Sequence, residues 1–593
     1  MPSADPSTIT VAPVRRTVQD QAADQQEFID NMKSQAYKSW PNEAGFDGLT
    51  EERGPIELAV HGDIPAWAAG SLFRTGPGGC KVENTPKGTH YVTHWFDGFA
   101  HTHRFDIIAD EPFSSGGKTR VTYTSRHQAK GHIERIRAKG LGNSFTFGQR
   151  RDPCVGLFGK VMSLFQPADP TENICVAVHT DMPSMTSSAE GSKQALSSGG
   201  HRNGVWASTD ASPFLEMDPK TLEPIGIARQ SDLHPLLKGP SSCAHAQRDP
   251  ETGDMYNFNL DFGGRAATYR IFRVSAATGK TDIVATICDT SIKGAYIHSF
   301  FMTANYVVLC VPVAHYGLYG ISVPLERNLL DAICVFDKSK PCKWLVIDRR
   351  GGAGLVATFD SPAAFFFHSV NAFEEASPDG SGTDIYCDVI DYPDHDVMRG
   401  FYYDVLLNRE GATAAWWGQG DRLRNAQARL SRFRLHLPSD AGKKKPVRPI
   451  QGTAEFLLSV PSPHVGELPT ISPAYQCRRY RYVYSLSNRG RSTLLDTIAK
   501  TDVDTQEAVL YGCPHGHTPG EPIFVPRPAG KGETLAEDDG VLLSLVLDGE
   551  ARRSYLLCLD AKTLKELGRA ECPMAVGLGF HGVHSPAKVK ASI

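Results

Sequence analysis

An all-β fold, most simply a β-propeller, is what this sequence predicts. Three observations predict it: short β-rich apolar runs separated by turns, a scarcity of long helical periodicity, and one hairpin-like element that recurs along the chain. The runs begin after Leu58; Tyr306–Val313 and Val541–Leu547 are examples, short, apolar and rich in valine and leucine. Glycine (55) and proline (39) are abundant enough to supply many turns. The recurring element reads Leu215-Glu-Met-Asp-Pro-Lys-Thr-Leu-Glu-Pro, Gln247-Arg-Asp-Pro-Glu-Thr-Gly-Asp-Met-Tyr, Phe272-Arg-Val-Ser-Ala-Ala-Thr-Gly-Lys and Leu557-Cys-Leu-Asp-Ala-Lys-Thr-Leu-Lys. In each, an apolar strand enters a turn led by Asp or Ser with Thr near its end, and a second strand follows. No WD or kelch signature accompanies it.

A chain of 593 residues could hold several domains, but single all-β folds also run long. No second boundary stands out. The expected organisation is a polar, partly disordered N-terminal extension over 1–50 and one propeller domain over 51–593. Pro438–Gly452, with Lys443-Lys-Lys445, reads as an inserted surface loop. Ala295–Ala314 is apolar but broken by His298, Thr303 and Asn305, which suits a buried strand pair better than a membrane helix.

Composition narrows the function classes. With 41% hydrophobic and 22% charged residues and a net charge of -4, the chain reads as an ordinary globular protein, and nucleic acid is not an expected partner. Thirteen scattered cysteines without a C-x-x-C pair fit a reducing compartment. The region from Met1 to about Trp40 lacks the apolar core of a signal peptide, so a cytoplasmic location is expected. No obligate protein partner is evident.

Of the 21 histidines, four stand out by context: His245 in Ser242-Cys-Ala-His-Ala-Gln, His298 in Ala295-Tyr-Ile-His-Ser-Phe-Phe, His368 in Phe365-Phe-Phe-His-Ser-Val-Asn-Ala and His581 in Gly579-Phe-His-Gly. A lone histidine is more often structural than a ligand. Three of these sit in apolar or aromatic β segments, where a neutral imidazole needs a partner to offset desolvation, and a metal ion supplies one. Spacings of 53, 70 and 213 residues exclude a helix-borne site and suit ligands donated by separate blades to a common axis. Imidazoles leave the ion's charge uncompensated, so carboxylates are expected behind the rings; Glu467 and Glu521 are candidates.

These segments resemble the carotenoid cleavage oxygenase family. The resemblance runs from about Ile56 to the C-terminus through His94-Trp-Phe-Asp-Gly98, Ala244-His-Ala-Gln-Arg-Asp-Pro-Glu-Thr-Gly253, Tyr296-Ile-His-Ser-Phe300, Phe367-His-Ser-Val-Asn-Ala372, Glu467-Leu-Pro, Glu521-Pro-Ile-Phe-Val525, Glu537-Asp-Asp-Gly540 and Phe580-His-Gly582. It implies a seven-bladed propeller with a loop and helix cap over an axial Fe(II) held by His245, His298, His368 and His581. It also implies three supporting glutamates, two matched by Glu467 and Glu521. The third falls on Asp210, one methylene shorter, with Glu190 as fallback; a backbone shift or a water is expected to bridge the difference. Stilbene-cleaving relatives place a lysine directly before that acid, and this chain has Thr209, which disfavours a phenolic stilbene.

The resemblance further implies an oxygenase that uses O2 to cleave a C=C bond of an apolar polyene. Torulene or a similar carotene is preferred, with apocarotenal products. Cleavage of β-carotene to retinal, of a stilbene or other apolar alkene, and retinoid isomerohydrolysis are the alternatives. No general acid or base is assigned. Residues 152–165 carry apolar positions close to one helical face, and this segment is expected to lie on a membrane surface beside the tunnel mouth. Gly577-Leu-Gly-Phe-His-Gly582 matches G-x-G-x-x-G literally, but no βαβ unit follows, so a dinucleotide is not expected.

Overall fold

A computed structural model describes residues 11–34, 40–109, 119–142, 144–150, 173–183, 185, 204–262, 266–439, 448–530 and 532–587. The predicted 152–165 helix and the fallback Glu190 lie outside the described residues. Strands dominate, as the apolar runs predict. The run at 541–547 falls within strand Gly540–Asp548, every residue of which is buried, so it reads as a continuous apolar stretch instead of alternating. The 295–314 stretch contains the paired strands Phe301–Met302 and Tyr306–Val311.

The recurring element is one turn built repeatedly. At Asp218, Asp249, Ser275 and Asp560 the leading amide donates to the carbonyl five residues on, at 2.9 Å in each case. Its own carbonyl accepts from the residue four on, at 2.8 Å. The leading side chain then accepts from amides inside the turn, as Asp218 Oδ1 does from Lys220 and Thr221 at 2.8 Å. The fifth position needs a positive φ. Gly253 (φ 72) and Gly279 (φ 71) adopt it freely, whereas Leu222 (φ 59) and Leu564 (φ 55) hold it because their side chains are fully buried. Asp502–Glu507 forms the same turn, with Gln506 at φ 59.

Asp249 also faces Arg349 at 2.7 Å, both side chains about 1% exposed. Burial disfavours its charged form, but the Arg349 hydrogen bond and the turn amides outweigh burial and hold the carboxyl at about 2. A folded value below the unfolded one stabilises above about pH 4, and that contribution is lost as pH falls towards the folded value. Asp249→Asn is expected to cost about 3 kcal/mol at neutral pH by leaving a buried guanidinium without its carboxylate. The gap in thermal stability between the two proteins should narrow below about pH 4. An undiminished gap in acid would contradict this account.

The strands form mainly antiparallel sheets in chain order. Ala177–Thr180 begins one, Gln247–Arg248 the next, then Phe301–Met302, Phe365–Ala376 and Glu467–Thr470. Gly540–Asp548 takes both His517–Pro519 and Ile523–Pro526 on one side. The first strands of successive sheets lie side by side: Phe301–Met302 beside Phe365–Ala376, that beside Glu467–Thr470, and Gly582–Pro586 beside both Ile523–Pro526 and Ala177–Thr180. Apolar clusters fill the spaces between sheet faces; Val308 and Trp344 meet Ile385 and Leu435 in one, and Tyr484 and Leu486 meet Leu542 and Leu557 in another. Segments far apart in sequence meet in one of these sheets. Gly70–Pro77 pairs antiparallel with Gly582–Pro586, from Gly70 opposite Pro586 to Arg74 opposite Gly582. This accounts for the glycines of 577–582: a Cβ on Gly76 would stand 2.4 Å from Gly579 Cα, and no helix follows among the described residues.

Two features depart from expectation. The N-terminal extension is joined to the domain. Val14–Arg16 pairs with Ala508–Gly512, and the helix α1 (Gln21–Ser34) buries Phe28, Ile29 and Met32 against Leu423. Its apolar residues fall at i, i+1 and i+4, a short stripe that the surrounding glutamines and aspartates mask in sequence. Downstream of 440–447, which lie outside the described residues, Ile450–Thr453 pairs in parallel with Gly354–Ser361, so the inserted loop ends by adding an edge strand. Short helices occupy long excursions between strands, among them Ser322–Glu326, Tyr403–Leu406, Ala412–Trp417 and Arg422–Asn425. These form the cap.

Candidate metal centre

Sequence separations of 53 to 213 residues collapse in the fold. His245 immediately precedes the strand pair that starts at Gln247, His298 precedes Phe301–Met302, His368 lies within Phe365–Ala376, and His581 precedes Gly582–Pro586. One potential ligand atom from each of the four lies within 4.8 Å of the others. His245 Nε2 is 3.1 Å from His298 Nε2, and His368 Nε2 is 3.1 Å from His581 Nε2. His298, His368 and His581 are buried, at 5 to 8% exposure. Burial pushes the His245 imidazole well below its ordinary pKa, and the neighbouring histidines push it further. Imidazole rings with inward nitrogens form a donor set suited to a first-row transition metal, so the group could hold a metal ion.

Three of the four outward nitrogens meet a carboxylate. His298 Nδ1 donates to Asp210 Oδ2 at 2.8 Å, His581 Nδ1 to Glu521 Oε1 at 2.7 Å, and His368 Nδ1 to Glu467 Oε2. Asp210, Glu467 and Glu521 are thus all brought to the site, one behind each of three rings; no carboxylate among the described residues pairs with His245. Asp210 reaches the His298 ring by direct contact, with no water needed between them. Ser242 donates its amide to Asp210 O at 3.1 Å and Ala244 to Asp210 Oδ1 at 3.0 Å, which draws the shorter side chain against the His298 ring. Thr209 lines the adjoining cavity.

Sequence reasoning missed three supporting residues. Tyr296 donates its hydroxyl to Asp210 Oδ2 at 2.8 Å, and Tyr392 donates to Glu467 Oε1 at 2.7 Å. Burial raises both phenols well above their usual pKa, with the adjacent carboxylates adding to the rise, so they stay hydroxyl donors. Burial works against the charge of Glu467, but His368 and Tyr392 outweigh it and hold the carboxyl below its ordinary value. Arg74, 1% exposed, donates to the Glu521 carbonyl at 3.0 Å and lies 4.0 Å from its carboxylate. The position of Tyr296 two residues before His298 was the available signal for one of these; Tyr392 and Arg74 come from other strands.

Two further matched motifs are structural. His94 accepts from Phe96 N at Nδ1 (3.2 Å), so its Nε2 carries the proton and donates to Met398 O at 2.9 Å. Asp97 accepts from the amides of Phe147 and Gly148, which sets Phe96 and Phe147 ring to ring at 4.7 Å. Glu537 accepts from the amides of Arg481 and Tyr482 while Asp538 pairs with Lys500 at 2.6 Å, tying two sheets together.

A cavity of about 970 Å³ reaches His298, His368 and His581. Phe96, Phe147, Phe367, Phe401 and Phe580 wall it near the rings, and Phe367 lies 5.8 Å from His298. Its size and aromatic lining fit a long apolar ligand. No described helix is long and apolar enough to cross a membrane.

The family model described as retinal pigment epithelial membrane protein (RPE65) matches residues 45–586. A torulene dioxygenase of Gibberella fujikuroi is 50% identical over 578 residues, which cover 96% of this chain and 98% of that protein. A carotenoid dioxygenase of Neurospora crassa is 48% identical over 596 residues, covering 96% and 95%. A variant of the Synechocystis apocarotenoid oxygenase superposes with a TM-score of 0.68 at 21% identity, over 93% of this chain and 100% of that one. Together with the mostly-β architecture, these matches establish that the chain belongs to the RPE65/carotenoid oxygenase family.

Proposed function

We propose that this protein is an Fe(II)-dependent dioxygenase that cleaves one double bond of a carotene, preferably torulene, with O2 to give apocarotenals. The observation that carries this reading is the convergence of four imidazoles on an aromatic cavity, in a chain half identical to a torulene dioxygenase. The sheets are read as seven blades, with Ile56–Gly62 linking the sheet of Gly540–Asp548 to that of Gly70–Pro77.

His245, His298, His368 and His581 would hold the iron. When bound, Fe(II) supplies activation of dioxygen. Asp210, Glu467 and Glu521 fix the ring orientations and keep each Nδ1 protonated, so that each Nε2 lone pair faces inward. The phenylalanine walls exclude water and hold an extended polyene against the histidines, which turns an encounter into a positioned reaction. Both oxygen atoms end in product: C=C plus O2 gives two C=O groups, with no proton left over. No side chain is required as acid or base, and Thr209 offers no cation to a phenolate. The apolar face within 152–165 is proposed to meet the lipid in which such a substrate dissolves.

The purified protein incubated with torulene under 18O2 is expected to yield two carbonyl products, each carrying one labelled oxygen when exchange with water is suppressed. Conversion under argon at the same rate would exclude an oxygenase and favour an isomerising or hydrolytic activity.

A further inference from the structure

The cavity is not uniform along its length. Ile321 and Phe145, 56% and 37% exposed, line a side that opens to solvent. Phe28, Met32 and Leu423 line another part and are buried, at only 6 to 8% exposure. Phe28 and Met32 belong to α1, which precedes the family-matched region of residues 45–586. This wall therefore comes from a segment the family match does not span.

The segment is fastened at several points. Val14, Arg15 and Arg16 pair with Leu510, Val509 and Ala508. Asp24 takes a hydrogen bond from His464 at 2.8 Å and lies 3.3 Å from Arg16. Asn31 donates to Arg489 O at 2.8 Å. Gly490, at φ +79, lets the backbone of α1 come close, since a Cβ there would stand 2.4 Å from Phe28 O. A wall held this way behaves as a fixed stop.

We propose that residues 14–34 form the end wall of the substrate cavity, and that Phe28 and Met32, facing Leu423, determine which double bond of the polyene is cut. The inference rests on the carotenoid-cleaving reading above. A conjugated polyene is a stiff rod that cannot fold back on itself. Once its leading end meets a fixed stop, the bond beside the histidines is set by the distance from that stop. Shortening the stop lets the rod advance, and a bond nearer its trailing end reaches the metal centre. Lengthening the stop holds the rod back, and a bond nearer its leading end is cut.

The test measures product masses from torulene with iron-loaded enzyme. Phe28→Ala combined with Met32→Ala should raise the ratio of products cut further from the leading end at least about fivefold, as expected when a pocket loses an apolar group. Leu423→Trp should shift the ratio in the opposite direction, and Phe28→Leu, the mildest change, keeps the test available if the double variant does not fold. Cleavage by the unaltered enzyme with an unchanged product ratio in every folded variant overturns the end wall alone. Absence of cleavage by the unaltered enzyme overturns the functional reading, and the wall's role with it.

Discussion

His581→Ala is expected to abolish metal content and turnover together. Of the four rings, His581 lies within a centroid distance of 4.3 Å of His245 and 5.0 Å of His368, and its Nε2 is 3.1 Å from that of His368. Removing it takes one of four donors from a set that, among the described residues, contains no spare imidazole within its 4.8 Å span. Losing even a supporting partner of a ligand costs about 10- to 100-fold in metal affinity, so losing the ligand should cost at least about 1,000-fold. Metal analysis should find roughly one iron per chain in the parent protein and less than about a tenth of that in the variant. His298→Ala should behave alike. Full activity in a variant that binds no iron would refute the assignment of these histidines.

The second large effect is expected at Glu521. Its carboxylate accepts from His581 Nδ1 and from Gly582 N, each at 2.7 Å, and it lies 4.0 Å from the Arg74 guanidinium. Burial lowers the Arg74 pKa, and Glu521 works against that fall. Glu521→Gln preserves volume but removes the charge. It should cost about 3 to 5 kcal/mol of stability, because a buried cation is left without its counter-charge, and about 10- to 100-fold in iron affinity. Replacing Glu467 by Gln should weaken iron binding with a smaller loss of stability, since the groups that hold Glu467 are His368 and Tyr392 and no arginine is among them. Equal melting temperatures for the parent and Glu521→Gln would show that Arg74 does not depend on this carboxylate.

Much of the site was legible in the sequence because its residues sit in strong local contexts. The four histidines lie beside aromatic or small residues at strand starts, and their motifs could be read one at a time. The mostly-β architecture was legible for a related reason: a six-residue turn fixed by one leading side chain leaves a signature of Asp or Ser followed by Thr. The same turn at Asp502–Glu507 went unread, since Gln506 replaces the expected Gly or Leu at the positive-φ position. Pairings between distant segments left no local trace. Which acid serves which histidine, the role of Arg74, and the docking of α1 through Asp24 and His464 depend on contacts spanning up to several hundred residues. Asp210 shows the same limit in reverse, for its shortness in sequence suggested a gap that the amides of Ser242 and Ala244 close.

The pairing of Gly70–Pro77 with Gly582–Pro586 has a bearing on how the enzyme is made. During synthesis the first of these strands leaves the ribosome hundreds of residues before its partner, and must wait with an open edge. His581 arrives with that partner. A nascent chain can therefore present His245, His298 and His368, but not the full donor set, until the last sheet closes. A metal held by all four histidines can therefore find its complete donor set only after that pairing has formed.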